Sequence, residues 1–181
     1  MMDAKKALDE VSGDFEAALQ ALREKGLAKA DSRSDRESCN GAVAVARDGD
    51  AAAIVELKSE TDFSAKAEDF VALTQQLADL VLAEGEAAVT KINDAIDDLR
   101  IAKKENIQLG LVRRVQAPEN AVMDVYLHTD QDGRGINGVV VVGESVSEEG
   151  LHEVALHIAF AKPTALRRED VPSEEIKKER E

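Results

Sequence analysis

An acidic residue followed directly by an aromatic one, Asp62-Phe63, sits inside Glu56-Leu57-Lys58-Ser59-Glu60-Thr61-Asp62-Phe63-Ser64-Ala65-Lys66, where a strand-like run gives way to a helix-like one. At such a junction Asp62 can serve as a helix N-cap and Phe63 as its hydrophobic staple or as a core residue. The other use of the pair is outward, as a contact for a second molecule. The chain holds four Phe, one Tyr and no Trp, so any exposed ring would stand out.

The remaining chemistry-bearing residues favour structural roles. No phosphate-cradling Gly-rich loop, nucleophile-elbow serine or helical metal-protease His pair occurs. Gly133-Arg134-Gly135 lies between two strand-like runs and reads as a hairpin turn. His152 and His157 are separated by about 140° on a helix, which makes them poor co-ligands. Cys39 has no neighbouring His or Lys to activate it and reads as an inert thiol. Asp97-Asp98 and Glu148-Glu149 are adjacent pairs that point in different directions on a helix and read as solvated faces. No catalytic residue, cofactor site or metal site is expected.

The elements that must position Asp62 and Phe63 follow from periodicity. Two short helices occupy the first thirty residues, with Ala7, Leu8 and Val11 on one face and Phe15, Ala18, Leu19 and Leu22 on the next; Ser12-Gly13-Asp14 separates them and Gly26 is a candidate stop. Residues 31–40 are polar and aperiodic and read as a linker between a helical module, 1–30, and a core, 41–181. Runs 42–46 and 53–57 flank Arg47-Asp48-Gly49-Asp50 as a hairpin. Helical spacing recurs at Phe70, Leu73, Leu77, Leu80 and Val81 and at Val89, Ile92, Ala95, Ile96 and Leu99, an antiparallel helix pair. Strand-like runs follow at 107–115, 121–128 and 138–142; Ser147 opens a helix that Pro163 ends, and Pro172-Ser173 starts another. The expected class is α+β: a small helical module, then a mainly antiparallel sheet covered by helices on one face.

Composition bounds the partners. The 181 residues are 44% apolar and 33% charged, with a formal charge of −14. A core of Ala, Val, Leu and Ile is affordable, whereas direct nucleic-acid binding is disfavoured because the charge repels phosphate backbones. The same charge favours solubility and steers the chain toward basic patches on proteins. One Cys suits a reducing compartment, and the absence of a signal-like stretch or of about 18 consecutive apolar residues suits the cytoplasm without a membrane anchor.

Residues 56–66 resemble the signature of the translation elongation factor Ts family, and the resemblance extends along the chain. Met1-Met2-Asp3-Ala4-Lys5-Lys6-Ala7-Leu8 is similar to the family's opening motif, with Ala4 where Cys is usual. Gly13-Asp14-Phe15, Leu22-Arg23-Glu24-Lys25-Gly26, Lys104-Glu105-Asn106-Ile107, Tyr126-Leu127-His128 and His157-Ile158-Ala159-Phe160-Ala161-Lys162-Pro163 follow in family order. The resemblance implies a ubiquitin-associated-like helical module tethered to an α+β core, both gripping the GTPase elongation factor Tu and promoting GDP release. Thr61, Asp62 and Phe63 would form the intruding tip near the GTPase Mg²⁺ site. Met1 and Met2 would contact a GTPase helix, and the loop around Lys104 would face the phosphate-binding region. Glu153 and Lys104 stand where the family pattern has a His and a Gly. The resemblance also implies an incomplete core, shortened at both ends and without the family's coiled-coil insertion. A dimer is left open. The alternative is a docking module that binds a partner GTPase or helix without accelerating exchange; an acidic hydrolase using Asp62 or Glu60 with His128 lacks a third orienting group.

Overall fold

The computed structural model describes residues 2–165 and 167–178. It begins with a helical hairpin, α1 (Met2–Glu10) and α2 (Phe15–Asp31). Asp14 caps α2 by accepting the Ala17 N–H at 3.0 Å. The helix does not stop at Gly26 but runs to Asp31. Gly26 serves a close approach instead: a Cβ there would come within 3.1 Å of the Ile101 side chain in a later helix. Residues 32–36 form turns, and Ser34 and Arg36 are tied to the core by their backbone carbonyls.

Strands β1 (Asn40–Asp48) and β2 (Ala51–Ser59) make an antiparallel hairpin in continuous register from Asn40 opposite Ser59 to Asp48 opposite Ala51. A five-residue helix α3 (Asp62–Lys66) follows, then α4 (Glu68–Glu84), which ends at Gly85. The second helical run divides: Glu86–Ile92 is 3₁₀, and only Asn93–Lys103 is α-helical, α5. Then come β3 (Gln108–Gln116), β4 (Ala121–Thr129), β5 (Gly135–Glu144), α6 (Glu148–Ala161) and α7 (Ser173–Lys178).

The α+β class with antiparallel pairing holds, but the strands divide between two sheets, β1-β2-β3 and β4-β5. The connection from β3 explains the split. Ala117 N–H bonds to Asp50 O at 2.7 Å, pinning the chain to the β1–β2 turn, and a turn with Asn120 at φ 68° then carries β4 over the sheet rather than beside it. The first sheet is therefore covered on both faces, not one. Phe70, Leu77 and Val81 of α4 pack on Ala44, Val55 and Leu57 from one side. From the other side β5 lies so close that a Cβ at Gly138 would come within 2.9 Å of Val43 and Ile54. This double cover suits β2, whose run Ala51-Ala52-Ala53-Ile54-Val55 is apolar without alternation. The outer face of β4-β5 receives α6, with Val139, Ala155 and Ala159 buried between them.

Two sequence assignments at turns and caps are found as expected. Gly133-Arg134-Gly135 belongs to a turn organised by Asp130, whose carboxylate accepts N–H bonds from Asp132 and Arg134 and pairs with the Arg134 guanidinium at 2.9 Å. Ser147 caps α6 by accepting the Gly150 N–H. No helix among the described residues is long and apolar enough to cross a membrane.

Candidate functional site: the turn from β2 into α3

At the end of β2 the buried Ser59 donates from its hydroxyl to Thr61 O at 3.0 Å, folding the chain sharply. Thr61 keeps an extended backbone (φ −119°, ψ 154°) and is the N-cap of α3. Its Oγ1 accepts the Ser64 N–H at 3.3 Å while donating its own proton to Glu105 Oε1 at 2.6 Å. Ser64 Oγ donates to the same oxygen at 2.7 Å, and Thr61 N–H donates to Glu105 Oε2 at 3.2 Å. A carboxylate from beyond α5 thus gathers the first turn of α3. Burial pushes the Glu105 carboxyl up, but the Thr61 and Ser64 hydroxyls and backbone N–H groups outweigh it and hold the pKa below the ordinary range.

Asp62 is therefore not the cap. It occupies the first helical position and pairs with Lys66 one turn on, at 3.0 Å. The hydrogen bond from Lys66 is the main reason that its carboxyl titrates below the usual aspartate range. Phe63 is neither staple nor core. Ser64 and Ala65 turn inward and are buried, and the Phe63 ring on the other side of the short helix is 84% exposed.

Below the turn lies a second polar knot. Glu60 Oε1 accepts the Asn106 N–H at 2.6 Å, its Oε2 faces Arg36 at 3.4 Å, and its backbone carbonyl accepts from Asn40 Nδ2 at 2.8 Å. Asn106, only 1% exposed, donates from Nδ2 to Ser34 O at 3.0 Å and Arg36 O at 2.6 Å, while its own carbonyl accepts the Ser38 hydroxyl at 2.6 Å. Three segments distant in sequence, 34–40, 59–66 and 104–106, are locked together in this way. Buried amide and carboxylate groups with their bonding complete rigidify such a site.

The structure thus brings Thr61, Asp62, Phe63 and the Lys104 loop into one neighbourhood. Lys104 is exposed, with φ 59°, and its N–H bonds to Arg100 O as the left-handed cap of α5. Met2 is exposed on α1 and Glu153 is exposed on α6; those helices pack against α2 and against β4-β5 respectively, not on the turn. Met1 lies outside the described residues. The groups of the hydrolase reading are engaged elsewhere: Glu60 with Asn106, Asp62 with Lys66, and His128 beside Tyr126 at 3.3 Å. Among the described residues no group of three or more His, Cys, Asp or Glu is arranged to hold a metal ion.

The sequence profile described as Elongation factor TS matches residues 60–181, beginning at this turn. Elongation factor Ts of Levilactobacillus brevis is 39% identical over 192 aligned positions, covering 100% of this chain and 64% of its own length. The chain belongs to the elongation factor Ts family. Elongation factor Ts of Kineococcus radiotolerans is 39% identical across 99% of this chain and 68% of its own length, and that of Vibrio cholerae is 37% identical across 100% and 62%. The chain therefore spans 62% to 68% of the length of these three relatives.

Sequence reasoning reached this family's turn but missed the two residues that hold it. Glu105 and Asn106 were in view as part of a motif without a role. The signal was a carboxylate and an amide beside an apolar strand start, Ile107, where a buried polar side chain must find partners. What could not be read was which partners, since Thr61, Ser64, Ser34 and Arg36 lie about 40 to 70 positions away.

Proposed function

We propose that this chain binds elongation factor Tu and promotes GDP release, with Phe63 as an aromatic wedge, Asp62 as its ionised neighbour and Thr61 as the residue that aims both. The observation that carries this reading is the 84% exposure of Phe63 on a helix whose first turn is fastened to Glu105. A large apolar side chain held out on a rigid polar base costs little ordering entropy on binding, which is the property of an interface hot spot.

The mechanism is thermodynamic coupling. A factor that binds the nucleotide-free GTPase more tightly than the loaded form must weaken nucleotide binding by the same ratio. A ring inserted between GTPase helices near the Mg²⁺ site supplies the differential contact. Displacing that ion removes the charge that offsets repulsion among the phosphate oxygens. The helical unit of residues 1–30, read as ubiquitin-associated-like, would give a second grip through Met1 and Met2, with residues 31–40 joining it to the core of 41–181. Lys104 would face the phosphate-binding region, and Glu153 would lie where the family pattern has a His.

Elongation factor Tu loaded with a fluorescent GDP tests the reading: the chain accelerates release, and Phe63→Ala abolishes most of the acceleration. A second reading, docking without exchange, is favoured by Lys104 and Glu153 replacing the family's Gly and His. Binding of wild-type chain to the GTPase with unchanged GDP release would select it.

A further inference from the structure

We propose that the cleft between α2 and the end of α5 is a binding site for a soluble oligophosphate. This inference does not rest on the exchange reading: of its four cations only Lys104 figures in both, and Lys25, Lys29 and Arg33 belong to this cleft alone. In this acidic chain many cations pair with carboxylates: Lys66 with Asp62, Lys103 with Asp69, Arg100 with Asp31 and Asp97, Arg134 with Asp130. Lys25, Lys29, Arg33 and Lys104 do not. None of the four has a side-chain hydrogen bond or ion pair among the described residues, and all four line one cleft of about 390 Å³.

The fold gathers them by identifiable steps. Lys25 and Lys29 stand four apart on α2, on one face and about 6 Å from each other. Arg33 continues the row just past the helix end at Asp31. The contact of Gly26 with Ile101 draws α2 against α5, and the left-handed cap of α5 at φ 59° brings in Lys104. Among the described residues Asp3 is the one carboxylate lining the cleft, and Leu22 and Ile101 supply apolar surface. Like charges set at this spacing repel, and beyond Asp3 no carboxylate lining the cleft among the described residues relieves them. A multiply charged anion does, and a polyphosphate chain matches a short row of cations better than a single carboxylate or phosphate. The volume falls within the range of small-ligand clefts.

Calorimetric titration of the full chain with inorganic tripolyphosphate, with GTP and with a hexaglutamate peptide tests the proposal in about 0.1 M and about 1 M salt. One saturable tripolyphosphate site is expected, weakened by high salt. The pair Lys25→Gln with Lys29→Gln lowers its affinity about tenfold or more, and Lys104→Gln lowers it about threefold, because each removes a partner charge from a partly desolvated cleft. Lys178→Gln on α7 leaves it unchanged. Glutamine keeps the helix propensity of these exposed positions, so circular dichroism and melting temperature stay as in wild type. Equal affinity for GTP assigns the site to the phosphate chain, and tighter GTP binding adds a base contact at Leu22 and Ile101; both support the proposal. Absence of saturable binding, an equal loss in Lys178→Gln, or tighter binding of hexaglutamate than of tripolyphosphate overturns it.

Discussion

Three phenylalanines among the described residues are turned to solvent, Phe15, Phe63 and Phe160, and the settings of the two most exposed, Phe63 and Phe160, differ. Phe63 is 84% exposed on a short helix fastened by Glu105 and, one layer down, by Glu60 and Asn106. Phe160 is 89% exposed near the end of α6, where it lines an open cleft of about 520 Å³ with Leu156, Ile136 and Tyr126. The first ring stands alone on a polar foundation that crosses three distant segments. The second belongs to a broader apolar surface, anchored beneath by one amide, Asn137 Nδ2 to Ala159 O at 2.8 Å. Exposure by itself is thus a weak sign of function. What separates the two regions is how much structure is committed to holding the ring in place.

The largest stability difference between them should come from the two asparagines. Asn106→Ala leaves the carbonyls of Ser34 and Arg36 without their donor and should cost about 3 kcal/mol, whereas Asn137→Ala frees one carbonyl and should cost about 1 kcal/mol. Urea denaturation of both variants checks this. Equal losses would break the comparison.

Acid sharpens it next. The Glu105 pKa is depressed in the folded chain, so its stabilisation is present above the ordinary glutamate range and is lost as pH falls through its folded value. Glu105→Gln should flatten the fall in stability between about pH 5 and pH 3. A residual slope should persist, because Asp62 and Asp130 are also held below the aspartate range. An unaltered slope in the variant would show that the carboxylate is not gathering the turn.

The smallest effect should be common to both regions. Lys104 caps α5 and Lys162 caps α6 in the left-handed conformation, at φ 59° and φ 46°. Lys104→Gly and Lys162→Gly should each raise stability by about 1 kcal/mol, since glycine enters that region without steric cost. A gain at one cap and a loss at the other, seen by thermal melting, would mean that one lysine side chain has a stabilising contact.

How far the sequence disclosed these regions varies with the range of the forces involved. The helical face of Phe70, Leu73, Leu77 and Val81 and the β1–β2 hairpin were legible because period and turn chemistry are local. The division into two sheets was not, because it depends on the turn at Ala117–Ala121 and on stacking of β5 over Val43 and Ile54. Gly26 looked like a helix stop because its role, contact with Ile101, lies 75 residues away. At the candidate site the pair Asp62-Phe63 was legible as a junction. Of the two uses open to Asp62 there, the cap falls to Thr61 instead, since both residues are competent caps and Glu105 decides between them.

The most direct measurement compares Phe63→Ala with Phe160→Ala in stopped-flow release of fluorescent GDP from elongation factor Tu, alongside urea stability of each chain. A hot-spot ring is worth about 2 kcal/mol or more, so Phe63→Ala should slow stimulated release by about thirtyfold while Phe160→Ala stays within about twofold of wild type. Both should retain wild-type stability. Equal slowing by the two variants, or none by Phe63→Ala, would contradict the assignment of the wedge to the β2–α3 turn.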